Sequence, residues 1–154
     1  LWNLEETRGP AREGQQAPDF SFSQSPGQTA DLKDYRGRVV LINFWATWCP
    51  PCRDEMPSLN ALYEIMDPSR LVILAFSVDQ SWDPVRRFMA ENHHILPVYA
   101  DFNRKISTLY GTLKFPETYI IDKKGKVAFK VIGETDWMAP DMLSYLRQLM
   151  AEPD

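Results

Sequence analysis

The stretch Val39-Val40-Leu41-Ile42-Asn43-Phe44-Trp45-Ala46-Thr47-Trp48-Cys49-Pro50-Pro51-Cys52-Arg53-Asp54-Glu55-Met56-Pro57 decides the fold of this chain and holds both of its cysteines. Val39 to Ala46 is a short apolar run, rich in β-branched and aromatic side chains and broken only by Asn43. Such a run reads as a strand buried on both faces. Beyond it, Leu59, Leu62, Tyr63 and Met66 recur at i, i+3, i+4 and i+7, one face of a helix, while Glu55, Asn60 and Glu64 fall largely elsewhere. Pro50 and Pro51 suit the first turn of that helix, where a missing N–H has no partner to lose. The helix is therefore expected to start at about Cys49.

A thiol at a helix start faces unpaired N–H groups and the positive end of the helix dipole, and both favour the thiolate. Cys49 is then the attacking sulfur, and Cys52, three residues along the same face, is positioned to resolve the mixed disulfide. A purely structural disulfide is the blander reading, but it would more often join distant segments than staple one helical turn.

Residues Asn43 to Pro57 resemble the active-site segment of the thioredoxin superfamily, specifically the exported TlpA/ResA/DsbE-like thiol-disulfide oxidoreductases, a branch related to the AhpC/TSA proteins. The shared features are Trp48 before the first cysteine, a proline inside the motif, Glu55 three residues after Cys52, and Pro57 five residues after it. The resemblance implies an α/β thioredoxin fold: a central mixed sheet flanked by helices, an N-terminal β-hairpin, and an inserted helix and strand over residues 79–101. Where thioredoxin has a buried Asp that helps deprotonate the resolving cysteine, this chain has Asn43, which cannot take a proton. Glu55 matches the Glu of the TlpA/ResA/DsbE-like branch and is the candidate for that role. Its ordinary reading is a first-turn acid favoured by the helix dipole.

Phe115-Pro116-Glu117-Thr118 is the second landmark. A proline before a strand is commonly just an entry residue, with a trans bond. The resemblance implies instead a cis bond facing the Cys-x-x-Cys, with the residue before Pro116 offering backbone hydrogen bonds to an extended substrate. Trp48, Pro50, Phe115 and Pro116 would then form an apolar rim suited to a protein segment.

Elsewhere, Phe20 and Phe22 alternate with serines, and Pro26-Gly27 turns the chain into a second short strand near Thr29 to Leu32, giving the hairpin. Leu71 to Val78 is a second buried strand, parallel to the first through a right-handed crossover. Asp83 and Pro84 read as the N-cap and first position of a helix ending near Asn92. Val98 to Ala100 reads as a short strand, and Ile106, Leu109 and Tyr110 as a helix stopped by Gly111. Thr118 to Asp122 and Val127 to Val131 read as a hairpin, with Met142, Leu146 and Leu149 marking a closing helix. Gly14 to Phe20 is similar to the entry segment of TlpA-like and peroxiredoxin chains. Residues 14–154 are thus expected to form the thioredoxin-like domain, and residues 1–13 a linker left after a lost signal or anchor, although Trp2 and Leu4 offer side chains that would dock.

The chain has 154 residues, 44% of them hydrophobic, enough for one full core without extra staples. A net charge of −4 argues against a nucleic-acid footprint, and Lys123, Lys124 and Lys126 read as a solvated turn. A zinc site is short of ligands, since only His93 and His94 accompany the cysteines, and they read as solvated at a helix end. Arg53 after Cys52 breaks the covalent haem-attachment pattern, and no glycine loop for phosphate is present. No cofactor beyond the redox-active Cys49–Cys52 pair is expected, and no metal. The expected function is thiol-disulfide exchange with exported protein substrates on the periplasmic or extracytoplasmic side, as a reductant in cytochrome c maturation or a related assembly, fed by a membrane or soluble electron donor. Two alternatives stand beside it: a copper-handling dithiol module, because thiolates suit Cu(I), and a thiol peroxidase. Against the peroxidase, its usual Thr three residues before the reactive Cys is Ala46 here, with Thr47 one place late.

Overall fold

The computed structural model describes residues 11–154. Its elements are β1 (Ser21–Ser25), β2 (Gln28–Asp31), a 3-10 turn (Leu32–Tyr35), β3 (Val39–Trp45), α1 (Pro50–Ile65), β4 (Leu71–Ser77), α2 (Trp82–Glu91), β5 (Val98–Ala100), α3 (Lys105–Tyr110), β6 (Glu117–Ile121), β7 (Val127–Ile132) and α4 (Pro140–Ala151). Five strands form one mixed sheet in the order β5-β4-β3-β6-β7, and β1 and β2 form a separate antiparallel hairpin. β3 is central, parallel to β4 and antiparallel to β6. This is the α/β arrangement expected of the sequence, hairpin and inserted α2–β5 included.

Alternation along β3 divides the core. Val39, Leu41 and Trp45 belong to a cluster with Leu59 and Leu62 of α1 and Leu146 and Leu149 of α4. Val40, Ile42 and Phe44 belong to the opposite cluster, with Phe22, Phe76, Tyr110 and Tyr119. Because the side-chain period of a strand is two, Asn43 shares the α1 face with Leu41 and Trp45.

Several boundaries and environments differ from the sequence reading. α2 is capped by Ser81, two residues before Asp83, so Pro84 sits within the first turn, where N–H groups are still unpartnered. On α1, Tyr63 and Met66 are only half-buried, and Met66 is already the C-cap; the polar Glu55 and Asn60 are buried instead. An apolar periodicity is blind to such residues, which enter the core because each finds hydrogen-bond partners. His94 is half-buried rather than fully solvated: it packs on Phe88, with ring centroids 5.7 Å apart, and burial pushes its pKa down. Lys123 also leaves the solvated turn, because its Nζ donates to the carbonyls of Met150 and Glu152 and pairs with Asp154 at 2.8 Å. Gly111 does end α3, in the left-handed conformation. Trp2, Leu4 and most of the expected linker lie outside the described residues; of its last three, Ala11 is buried with its N–H on the Tyr110 carbonyl, and a Glu13 carboxylate oxygen accepts from the Lys130 N–H.

Candidate active site

The end of β3 delivers Thr47 and Trp48 to the start of α1. Cys49 is the N-cap of that helix, with extended backbone, and Pro50 and Pro51 fill its first turn. Cys49 and Cys52 are joined as a disulfide with Cα atoms 5.3 Å apart. The Cys49 Sγ lies 3.4 Å from the Cys52 N–H nitrogen and 3.4 Å from the Phe115 carbonyl oxygen. The first sulfur therefore faces both the helix start and the landmark segment. Both cysteines are buried residues, Cys49 keeping 6% of its surface against 1% for Cys52.

The Phe115–Pro116 peptide bond is cis. The Trp48 and Phe115 rings meet edge to face, with centroids 6.1 Å apart. Trp48 is 56% exposed and Pro50 exposed, whereas Phe115 is half-buried and Pro116 buried. The apolar rim around Cys49 is thus made by Trp48, Pro50 and Phe115, with Pro116 behind them.

Three residues beyond Cys52, on the same face of α1, lies a buried carboxyl. Glu55 is 3% exposed; its Oε1 accepts from Asn43 Nδ2 at 3.0 Å and its Oε2 from the Thr135 N–H at 2.9 Å. Asn43 Nδ2 donates also to Thr118 Oγ1 at 2.9 Å. Burial dominates over these donors and raises the Glu55 pKa from 4.5 to about 7. Asn43 thus takes no proton itself but holds the group that titrates. The segment after β7 closes over this carboxyl: Ser58 Oγ accepts from the Trp137 N–H at 3.0 Å and contacts the Thr135 carbonyl at 3.3 Å, and Trp137 is fully buried.

A second carboxylate holds the active-site turn. Asp79, buried at the end of β4, accepts from the Thr47 N–H at 3.0 Å, from Thr47 Oγ1 at 2.5 Å and from Ser77 Oγ at 2.6 Å. The Thr47 hydroxyl is thereby turned to Asp79, and Ala46 is buried in the core. Neither Asp79 nor Thr135 stood out in the sequence, since each matters only through a partner 32 or 80 positions away. Among the described residues no group of three or more His, Cys, Asp or Glu is arranged to hold a metal ion. No described helix is long and apolar enough to cross a membrane.

Comparison with known proteins agrees with this geometry. The AhpC/TSA family profile matches residues 13–130. The chain is 38% identical over 121 residues to the thiol-disulfide oxidoreductase ResA of Bacillus anthracis, covering 79% of this chain and 70% of that one. It is 40% identical over 132 residues to the thioredoxin-like protein YneN of Bacillus subtilis, covering 82% and 77%. A crystal structure of the thiol:disulfide interchange protein DsbE from Chlorobium tepidum superposes with a TM-score of 0.80 at 26% identity, over 92% of this chain and 99% of that one. The chain belongs to the AhpC/TSA family, among its thioredoxin-fold thiol-disulfide oxidoreductases.

Proposed function

We propose that this oxidoreductase reduces disulfides in exported proteins outside the cytoplasm, in cytochrome c maturation or a related assembly step. The observation that carries the reading is the Cys49 sulfur at the start of α1, against the Phe115 carbonyl, with Glu55 buried on the Cys52 face. The names of the ResA and DsbE relatives support the assignment to this kind of task.

In the reduced protein the Cys49 thiolate attacks one sulfur of the target disulfide. The target S–S bond breaks, one target sulfur leaves as a thiolate, and a Cys49–target disulfide forms. Cys52 gives its proton to Glu55 and attacks the Cys49 sulfur; the second target sulfur leaves, and the Cys49–Cys52 disulfide remains. Two electrons pass to the target, and a membrane or soluble donor restores the dithiol. An acceptor with a pKa of about 7 is matched to this transfer near neutral pH.

The test follows mixed-disulfide release from an oxidised Cys-x-x-Cys-His peptide across pH 5–9, with Glu55→Gln beside the unaltered protein. Release should rise with an apparent pKa near 7 in the unaltered protein, and should be slower, without that inflection, in the variant. Superimposable profiles would remove Glu55 from the mechanism. Hydrogen peroxide in place of the peptide should turn over slowly, because the Thr47 hydroxyl is held by Asp79; peroxide turnover as fast as peptide reduction would favour the peroxidase.

A further inference from the structure

Arg104 caps the N-terminus of α3 in the left-handed region, at φ +58, a conformation more easily held by glycine. The side chain that occupies this strained position lies over the active-site aromatics. Its guanidinium carbon is 5.9 Å from the Trp48 ring centroid and 5.5 Å from that of Phe115. Arg104 is an exposed residue and, among the described residues, forms no ion pair with a carboxylate. The nearby acids are committed elsewhere. Asp101 is buried and its two oxygens accept from the Ile106 and Ser107 N–H groups, while Asp79 serves Thr47 and Ser77. Arg104 also closes one side of a groove of about 670 Å³ that runs from Trp48 past Gln80 and Ser81 to Phe102.

We propose that Arg104 and this groove form a subsite for an acidic side chain of the target polypeptide, two residues from the cysteine that reacts with Cys49. The proposal rests on the exchange function above and adds a specificity to it. An arginine held within 6 Å of two ring centroids has part of its side-chain freedom already spent, so a carboxylate can take its N–H edge in a bidentate pair with a smaller further loss. Alternate residues of an extended segment point to the same side, which sets the spacing of two. Arg104 is the one cation among the described residues that line this groove, and the one carboxylate among them, Asp79, is taken up by Thr47 and Ser77, so the charge of Arg104 is what separates an acidic target from a neutral one of the same shape.

The test uses three hexapeptides that differ only at the position two before their single cysteine, which carries Glu, Gln or Lys. Each cysteine is activated as a mixed disulfide with 5-thio-2-nitrobenzoate. The Cys49 thiolate of the reduced protein attacks the peptide sulfur, the S–S bond breaks, and the coloured thiolate leaves and is read by absorbance. At low salt the second-order rate constant should be about 5-fold higher for Glu than for Gln, lowest for Lys, and the differences should fade in 0.5 M salt, as expected of a rim charge. Arg104→Gln should bring the Glu and Gln peptides together, and Arg104→Glu should make the Lys peptide the fastest. Arg104→Gly, which relaxes the backbone, should behave as Arg104→Gln. Equal rates for the three peptides on the unaltered protein, or a Glu preference that survives in Arg104→Gln and Arg104→Gly, would overturn the subsite and leave the exchange function standing. Absence of coloured thiolate with every peptide would instead overturn the exchange function, and the subsite with it.

Discussion

Glu55 would ionise near pH 4.5 in water and does so near pH 7 in the fold, because burial outweighs the hydrogen bonds from Asn43 and Thr135. Between those two pH values the folded chain binds a proton that the unfolded chain has released. Stability therefore falls as pH rises from about 4.5, and the loss is complete once pH passes the folded pKa. At 1.36 kcal/mol per pKa unit, the whole loss is on the order of 3 kcal/mol. Urea denaturation of the oxidised protein should show a decline of about 2–3 kcal/mol between pH 5 and pH 8 that is missing from Glu55→Gln; parallel curves would mean that the carboxyl titrates as an ordinary acid. What could be read at this scale depended on distance along the chain. Cys49, Cys52 and Glu55 are three residues apart, so helix geometry alone relates them. Thr135 and Asp79 reach their partners across 80 and 32 positions, and neither carries a local signature.

At the scale of elements, α1 shows why its inner face was only half legible. Leu59 and Leu62 declare that face, but the polar Asn60 also turns inward. Its Oδ1 accepts from the N–H groups of Ile95 and Leu96, at 2.8 and 2.9 Å, where the chain passes from α2 to β5. One side-chain oxygen therefore satisfies two backbone donors of the inserted segment, and Asn60 holds that insertion to α1. Asn60→Ala should cost about 2–3 kcal/mol, because it leaves those donors unsatisfied, and Asn60→Asp should recover only part of the loss, since it keeps the acceptor but sets a carboxylate against Glu64, whose Oε1 accepts from Asn60 Nδ2 at 2.8 Å. Urea denaturation measures both, and an alanine variant within about 0.5 kcal/mol of the parent would show that solvent replaces Asn60. The strands were read with near-correct limits because their apolar runs stop at turn residues. The start of α2 was missed by two residues because Ser81 and Asp83 are both acceptable caps, and only the direction of the chain leaving β4 selects between them.

Across the whole molecule, β3 is the axis: α1 and α4 cover one face of its sheet, while the hairpin and α3 contribute to the aromatic cluster on the other. The mixed sheet flanked by helices followed from the resemblance rather than from periodicity, since a buried run states that it is covered but not by what. The polar group built on β3 spans the same distances. Asn43 Nδ2 gives one proton to Glu55 of α1 and the other to Thr118 of β6, and Glu55 in turn holds Thr135 beyond β7. Those two amide protons reach solvent only when helix, central strands and closing segment part together. In deuterated water, the Asn43 side-chain amide should therefore persist as long as the slowest backbone amides of β3, and exchange within minutes would show that the site breathes without unfolding. In a nitrogen-15 titration the same resonance should shift with a midpoint near pH 7, making Asn43 a built-in spectroscopic probe of the proton on Glu55.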